Sequence, residues 1–251
     1  MAIAASDNSF TFNGKSSLEM GLCIEKVPSR TSPEKDLETI VVAGRSEPLH
    51  VWNGRWKPYT QEYRCWFKGD PTEEQLHAIN EWLHSAPPGS RLTDSYDTRV
   101  FHTATYKGGA SVDMLRSMVG KFPVKFEQGA QAFLRTGEVE LIFSQIRAGT
   151  ITNHTPFVSK PLIRVRGSVS GLVKVGDATL TILFEGYSDE REIWIDCEAQ
   201  EAWEIGPDGT EISRNAWITR NEFPSIQPGT QEVILTGGIT SASIWSRTFT
   251  L

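Results

Sequence analysis

From Ile163 to the C-terminus the apolar residues of this chain keep a two-residue beat. Glycines and prolines interrupt it at short intervals. The runs are Ile163/Val165, Val173/Val175, Leu180/Ile182/Phe184, Ile193/Ile195/Cys197, Ala202–Ile205, Val233/Leu235 and Ile244–Leu251. A period of two puts alternate side chains on one face of an extended strand, so each run reads as a strand with one buried face. Strands alone, closely spaced and separated by turns, predict an all-β sandwich of about 90–100 residues. The clearest strand is Glu192-Ile-Trp-Ile-Asp-Cys-Glu198, with Ile193, Ile195 and Cys197 on one face and Trp194, Asp196 and Glu198 on the other.

The first half of the chain is mixed. Phe10 and Phe12 alternate around Thr11, and Asn13-Gly14 is a hairpin signal, so residues 8–27 predict two strands. Further strands are expected at Leu37–Val42, Tyr59–Lys68, Ser90–Leu92, Arg99–Lys107, Phe122–Phe126 and Glu138–Phe143. Arg45–Pro58 lacks periodicity and reads as an extended loop or hairpin arm with a turn at Asn53-Gly54. One helix is signalled: Asp70 as cap, Pro71 at its first position, Glu73 completing a capping box, then Leu76, Ile79 and Leu83 on one face. Pro87-Pro88-Gly89 stops it, and Ser111–Met118 reads as a short turn or helix. The expected fold is therefore mainly β: an α+β N-terminal domain with one helix over residues 1–150, and a sandwich over 151–251. The junction is placed in the polar, aperiodic segment Asn153–Pro161.

Composition excludes some classes. At 251 residues, 39% hydrophobic and 22% charged, the chain can bury a core. A net charge of −6 argues against a nucleic-acid partner. No apolar run approaches the ~20 residues that cross a bilayer, and the N-terminus lacks the pattern of a signal peptide. Cys23, Cys65 and Cys197 cannot all pair and read as reduced, buried thiols.

No motif assembles a catalytic, cofactor or metal site. Gly14-Lys15-Ser16 lacks the upstream glycine of a phosphate loop and reads as a hairpin turn. Gly167-Ser-Val-Ser-Gly171 has Val at the place of a nucleophile and reads as a flexible turn. His77, Glu81 and His84 share a helix face without the metalloprotease order. Asp196 and Glu198 stand about 7 Å apart on one strand face, a spacing glycosidases can use. Trp194, Trp203, Trp217 and Trp245 could form a sugar-stacking platform, but such residues are more often core or interface.

The order of short motifs carries more. Phe10-Thr-Phe-Asn-Gly14, Gly21-Leu22 and Glu38-Thr-Ile-Val-Val-Ala-Gly-Arg45 open the chain. Pro161-Leu-Ile-Arg-Val-Arg-Gly167, Ile193-Trp-Ile-Asp-Cys-Glu198, Asn215, Phe223-Pro-Ser-Ile-Gln-Pro-Gly229 and Ile244-Trp-Ser-Arg247 follow. Together they resemble the distal tail proteins of long-tailed bacteriophages with non-contractile tails, departing at Ser246, where that family often has Pro. The resemblance implies a galectin-like, carbohydrate-module-like C-terminal sandwich and an N-terminal domain forming a ring of six subunits. That ring would join the tail tube to the tail-tip or baseplate proteins, including the tail-associated lysin, and the sandwich would anchor receptor-binding or tail-fibre proteins. The implied place is the distal end of the tail of a virion, with no enzymatic role and no membrane partner. The alternatives are a stand-alone carbohydrate-binding protein and a glycan hydrolase. Val51, Trp52 and Trp56, apolar residues that one loop cannot hide, are the candidate subunit interface. The other course for the two tryptophans is to fold back onto their own sheet.

Overall fold

The structure, a computed structural model, describes residues 8–69, 71–108, 121–145, 149–184 and 189–251. Asp70, Glu185 and Ser111–Met118 lie outside the described residues. Two compact units divide between Ala132 and Phe133, with Leu251 counted in the first unit. The division falls before the expected junction at residues 150/151. The reason is local: Asn153–Pro161 is bonded into the second unit. Ser159 pairs with Ile226, and the buried Asn153 amide donates to the Phe157 and Ile226 carbonyls at 2.7 and 3.1 Å.

In the first unit the strands are β1 (Phe10–Phe12), β2 (Lys15–Ser16), β3 (Leu22–Ile24), β4 (Lys35–Ile40), β5 (Leu49–Trp56), β6 (Tyr59–Phe67), β7 (Ser90–Asp94), β8 (Val100–Tyr106) and β9 (Lys121–Leu134). Strand β9 carries the chain across the division. The main sheet has the order β2-β1-β7-β8-β9-β6-β3, and β4 and β5 form a separate two-stranded ribbon. Phe12 faces Lys15 across a two-residue turn, with Asn13 at φ 49° and Gly14 at φ 78°. Two positive φ values make the tight hairpin that Asn-Gly favours.

Helix α1 (Glu73–Ser85) lies between β6 and β7 in sequence and buries Ile79, Trp82 and Leu83. Its cap is Thr72, whose hydroxyl accepts from the Gln75 N–H at 3.2 Å, so the helix starts two residues later than the Asp70 cap implies. Trp82 joins the predicted apolar face. Its ring stacks on Phe10 at 5.8 Å and its indole N–H donates to the Phe12 carbonyl at 3.2 Å. Around it pack Phe12, Tyr63, Leu92, Val124 and Phe126.

The second unit holds β10 (Leu141–Ser144), β11 (Gly149–Asn153), β12 (Leu162–Val175), β13 (Ala178–Ile182), β14 (Arg191–Asp196), β15 (Glu201–Ile205), β16 (Glu211–Ser213), β17 (Ile218–Arg220), β18 (Gly229–Trp245) and β19 (Phe249–Thr250). A 3₁₀ turn at Arg135–Glu138 displaces the start of the strand expected from Glu138. The runs at 163–165 and 173–175, read as separate strands, are the two ends of β12. That long strand pairs with the longer β18 along nearly its whole length. Its first half also pairs with β14, and its second half with β13. Both long strands bend together, which turns one sheet into two layers around a single core of Ile163, Val165, Val173, Leu180, Ile182, Ile193, Ile195, Val233, Ala242 and Ile244.

The bend sits at the Gly167–Gly171 segment, which is therefore a corner inside a strand and not a turn. Opposite Ser168–Ser170 stands only Gly238, and Thr240 is an extra residue between the paired Ile239 and Ser241. Backbones cross so closely here that a Cβ on Gly171 would lie 2.4 Å from the Thr236 carbonyl oxygen. One on Gly238 would lie 2.0 Å from Val169 Cγ2.

Candidate subunit interface

The ribbon of β4 and β5 carries the three candidate residues. Leu37 stands opposite Trp52, Glu38 opposite Val51, Thr39 opposite His50 and Ile40 opposite Leu49. Directly opposed side chains share a face, so Leu37 and Trp52 mark one face and Ile40, Leu49 and Val51 the other. Every one of these apolar residues is exposed, Trp52 at 50% and Val51 at 45%. The ribbon thus offers water an apolar surface on both sides. Isolated two-stranded ribbons are marginal on their own.

Local bonds give this ribbon its shape. The reversal lies between Ile40 and Leu49, where Arg45 N–H donates to the Val42 carbonyl at 3.1 Å. Asn53-Gly54 is not the turn but part of a bulge in β5: Asp36 faces three residues, and Gly54 takes φ 76°. The bulge brings Trp52 and Trp56 edge-to-face at 6.2 Å, with Lys35 Nζ 5.5 and 5.6 Å from the two ring centres. Arg55 clasps Asp36 at 2.6 Å, and this hydrogen bond holds the Asp36 carboxyl below its ordinary pKa. The Trp52 indole N–H donates to the Arg55 carbonyl at 3.1 Å. Neither tryptophan enters the core of the first unit; Trp56 is half-buried against its own ribbon. Leu37, Ile40 and Leu49 belong to the same surface and were not among the candidates. The alternation on either side of Gly44 was the available signal.

The other candidates take structural places. Gly14-Lys15 is the β1–β2 hairpin. His77, Glu81 and His84 lie exposed on α1, and His84 meets Tyr106 edge-on at 5.0 Å. Among the described residues no group of three or more His, Cys, Asp or Glu side chains is placed to hold a metal ion. Asp196 accepts from the Glu198 and Ala199 N–H groups and from Arg247. Burial alone would raise its pKa, but these bonds outweigh it and hold the carboxyl below the ordinary value. A group so held is a poor proton donor near neutrality. Glu198 is exposed and paired with Lys160.

Trp217 packs against the core of the second unit, under Arg214. Trp194 and Trp245 stack on each other at 5.4 Å with Arg164 beside both rings. Arg164 is itself bonded to Glu140 and Ser243. Trp203 lies directly across from Trp194. The two stacked indoles turn aromatic faces towards each other.

Among the described residues no helix is long and apolar enough to cross a membrane. The fold is thus that of a mainly β, two-unit protein with an exposed apolar ribbon arm. No family model matches the chain. No curated protein matches it either. Among solved structures it resembles the SPP1 Dit protein (gp 19.1), described as a paradigm of the hub adsorption apparatus in phages that infect Gram-positive bacteria. The likeness has a TM-score of 0.68 at 14% identity and covers 97% of this chain and 99% of the other. The chain therefore has the fold of that hub protein over the 97% of its length that the likeness covers.

Proposed function

We propose that this chain is a structural protein of a bacteriophage tail: a distal-tail hub that assembles as a ring of six. In this reading the first unit makes the ring, joining the tail tube to the tail-tip or baseplate proteins. The second unit, with its sandwich, projects outward and anchors receptor-binding or fibre proteins. The observation that carries the reading is the likeness to the SPP1 hub, which spans 97% of this chain and 99% of that one. The ordered motifs agree with it, because each has a structural task here. Asp196 and Arg247 pair, Asn215 accepts from the Ala202 N–H at 2.6 Å, and Ile226 bridges Ser159. The two-faced ribbon supplies a reason for self-association, since its apolar faces are exposed among the described residues. Head-to-tail contacts of one kind close into a ring when the rotation permits.

The role requires no chemistry, and we assign none. The test is the particle itself. Light scattering and electron-microscope images of the purified protein should give a six-subunit ring, and antibody against it should label the end of the tail furthest from the capsid. Label elsewhere on the virion, or turnover of cell-wall glycans lost on Asp196→Asn, would overturn the proposal.

A further inference from the structure

The segment between β3 and β4, residues 25–34, leads directly into the ribbon arm. It begins at Glu25, whose N–H donates to the Arg64 carbonyl at 2.8 Å and whose carboxylate pairs with Lys121 at 3.0 Å. Beyond Glu25, two further points hold it to the first unit. Pro28 is buried, and Arg30 forms an ion pair with Asp94 at 3.6 Å. Asp94 is a meeting point of several elements at the end of β7. It accepts from the Tyr63 hydroxyl at 3.2 Å and from the Tyr96 and Asp97 N–H groups at 2.9 and 3.1 Å. Its side chain is only 12% exposed, whereas that of Arg30 is 49% exposed. The guanidinium stands within electrostatic reach of Tyr59, Tyr63, Asp97 and His102.

What lies at this end of the sheet differs from the rest of the core. Phe10, Phe12, Leu92 and Phe126 give way to the buried Gln61 and Gln128, the Tyr63 hydroxyl, Asp94 and His102. Among the described residues, the buried His102 Nδ1 meets no hydrogen-bond partner. Lifting a strap from an apolar core exposes greasy surface to water and is costly. Lifting one from a polar end hydrates groups that gain by it, a buried unpartnered nitrogen most of all. Beyond the anchored Glu25, the ties to be released are the buried Pro28 and one half-exposed ion pair.

We propose that residues 26–34, beyond the Glu25 anchor, form a releasable strap latched by Arg30–Asp94 at the polar end of the first unit, and that this latch limits how freely the ribbon arm moves. The arm's own base is closed by the Lys57 N–H donating to the Glu34 carbonyl at 2.8 Å, so the strap and the arm move as one piece. Asp94 and Arg30 are positioning residues. The latch is a property of the free chain and does not depend on the ring.

Amide hydrogen exchange of the full chain tests it. Arg30→Gln removes the pair without touching the turn that Asp94 organises, and Asp94→Asn keeps the acceptor for that turn. Each should speed exchange of residues 26–34 about two- to fivefold, while the Glu25 amide and the amides of β6 and β8 keep their wild-type rates. Raising salt to about 1 M should do the same to the wild type and less to Arg30→Gln, in which only the Glu25–Lys121 pair is left to screen. Unchanged exchange in Arg30→Gln, equal acceleration of β6 and β8 in that variant, or a wild type indifferent to salt would each overturn the latch.

Discussion

Arg247 donates to the Asp196 carboxylate at 2.9 Å across a separation of 51 residues in sequence. Arg247 itself takes φ 48°, and its N–H donates to the Gly137 carbonyl at 3.0 Å. The pair therefore ties the end of β14, the chain after β18 and the turn before β10 together. Asp196→Asn should cost about 1 kcal/mol, because Arg247 keeps an acceptor but loses the charge. The pH dependence follows from the lowered pKa. Stability from Asp196 is fully present above the unfolded value of 3.8 and drains away as pH falls through the lower folded value. Thermal unfolding of wild type and Asp196→Asn should thus converge in acid and separate towards neutrality.

The corner of the second unit has no room for a methyl group. Gly171→Ala places a Cβ against the Thr236 carbonyl, and Gly238→Ala places one against Val169. Backbone cannot yield as a flexible side chain does, so each should destabilise by about 2–3 kcal/mol or more. Urea unfolding of either variant, compared with Ser168→Ala, measures it; a loss no greater than the control's would mean that the bend relaxes.

The exposed ribbon separates folding from assembly. Since Trp52 is half exposed and outside the core, Trp52→Ala should alter monomer stability by no more than about 0.5 kcal/mol. The double change Trp52→Ala/Trp56→Ala should abolish ring formation in light scattering. Assembly left intact by the double variant would remove the two indoles from the contact.

Asn153 spends its whole amide on the fold. Its Nδ2 reaches the Phe157 and Ile226 carbonyls, and its Oδ1 accepts from the Thr155 N–H and hydroxyl. Asn153→Ala strands these groups, and a loss of about 2 kcal/mol is expected. In the wild type, chymotrypsin should leave Phe157 uncut under native conditions, whereas the variant should be cleaved there.

All three cysteines are buried and none is in a disulfide. Burial pushes Cys65 and Cys197 up to about 12, far from the thiolate range. Ellman's reagent should find no reactive thiol in the native protein and three after denaturation. Prompt reaction of any one would expose an opening that the static fold lacks.

Much of this architecture was legible in residue order. Alternation located the strands because a two-residue period leaves a buried face no other arrangement. The Asn13-Gly14 hairpin and the helix could be read from local chemistry, since turns and caps are settled by neighbours in the chain. Even there, Thr72 took the cap from Asp70. Two oxygen-bearing residues lie two positions apart in sequence, and only the packing of Ile79, Trp82 and Leu83 fixes where the first turn begins.

What tertiary structure decided was everything set by partners far apart in sequence. Gly167–Gly171 looks like a turn from within. Whether a glycine-rich stretch reverses the chain or merely bends it depends on the opposing strand, and β18 continues past it. Asn53-Gly54 fits a hairpin turn equally well, yet β4 pairs with β5 on both sides of it, so it becomes a bulge. Asn153–Pro161 reads as a linker because it is polar and aperiodic. Its bonds run to Ile226, which no local pattern reveals. Sequence by itself determined which residues seek burial and which face of each strand carries them. Long-range pairing decided which strands join, where they bend, and that the ribbon with Trp52 keeps its apolar faces in water.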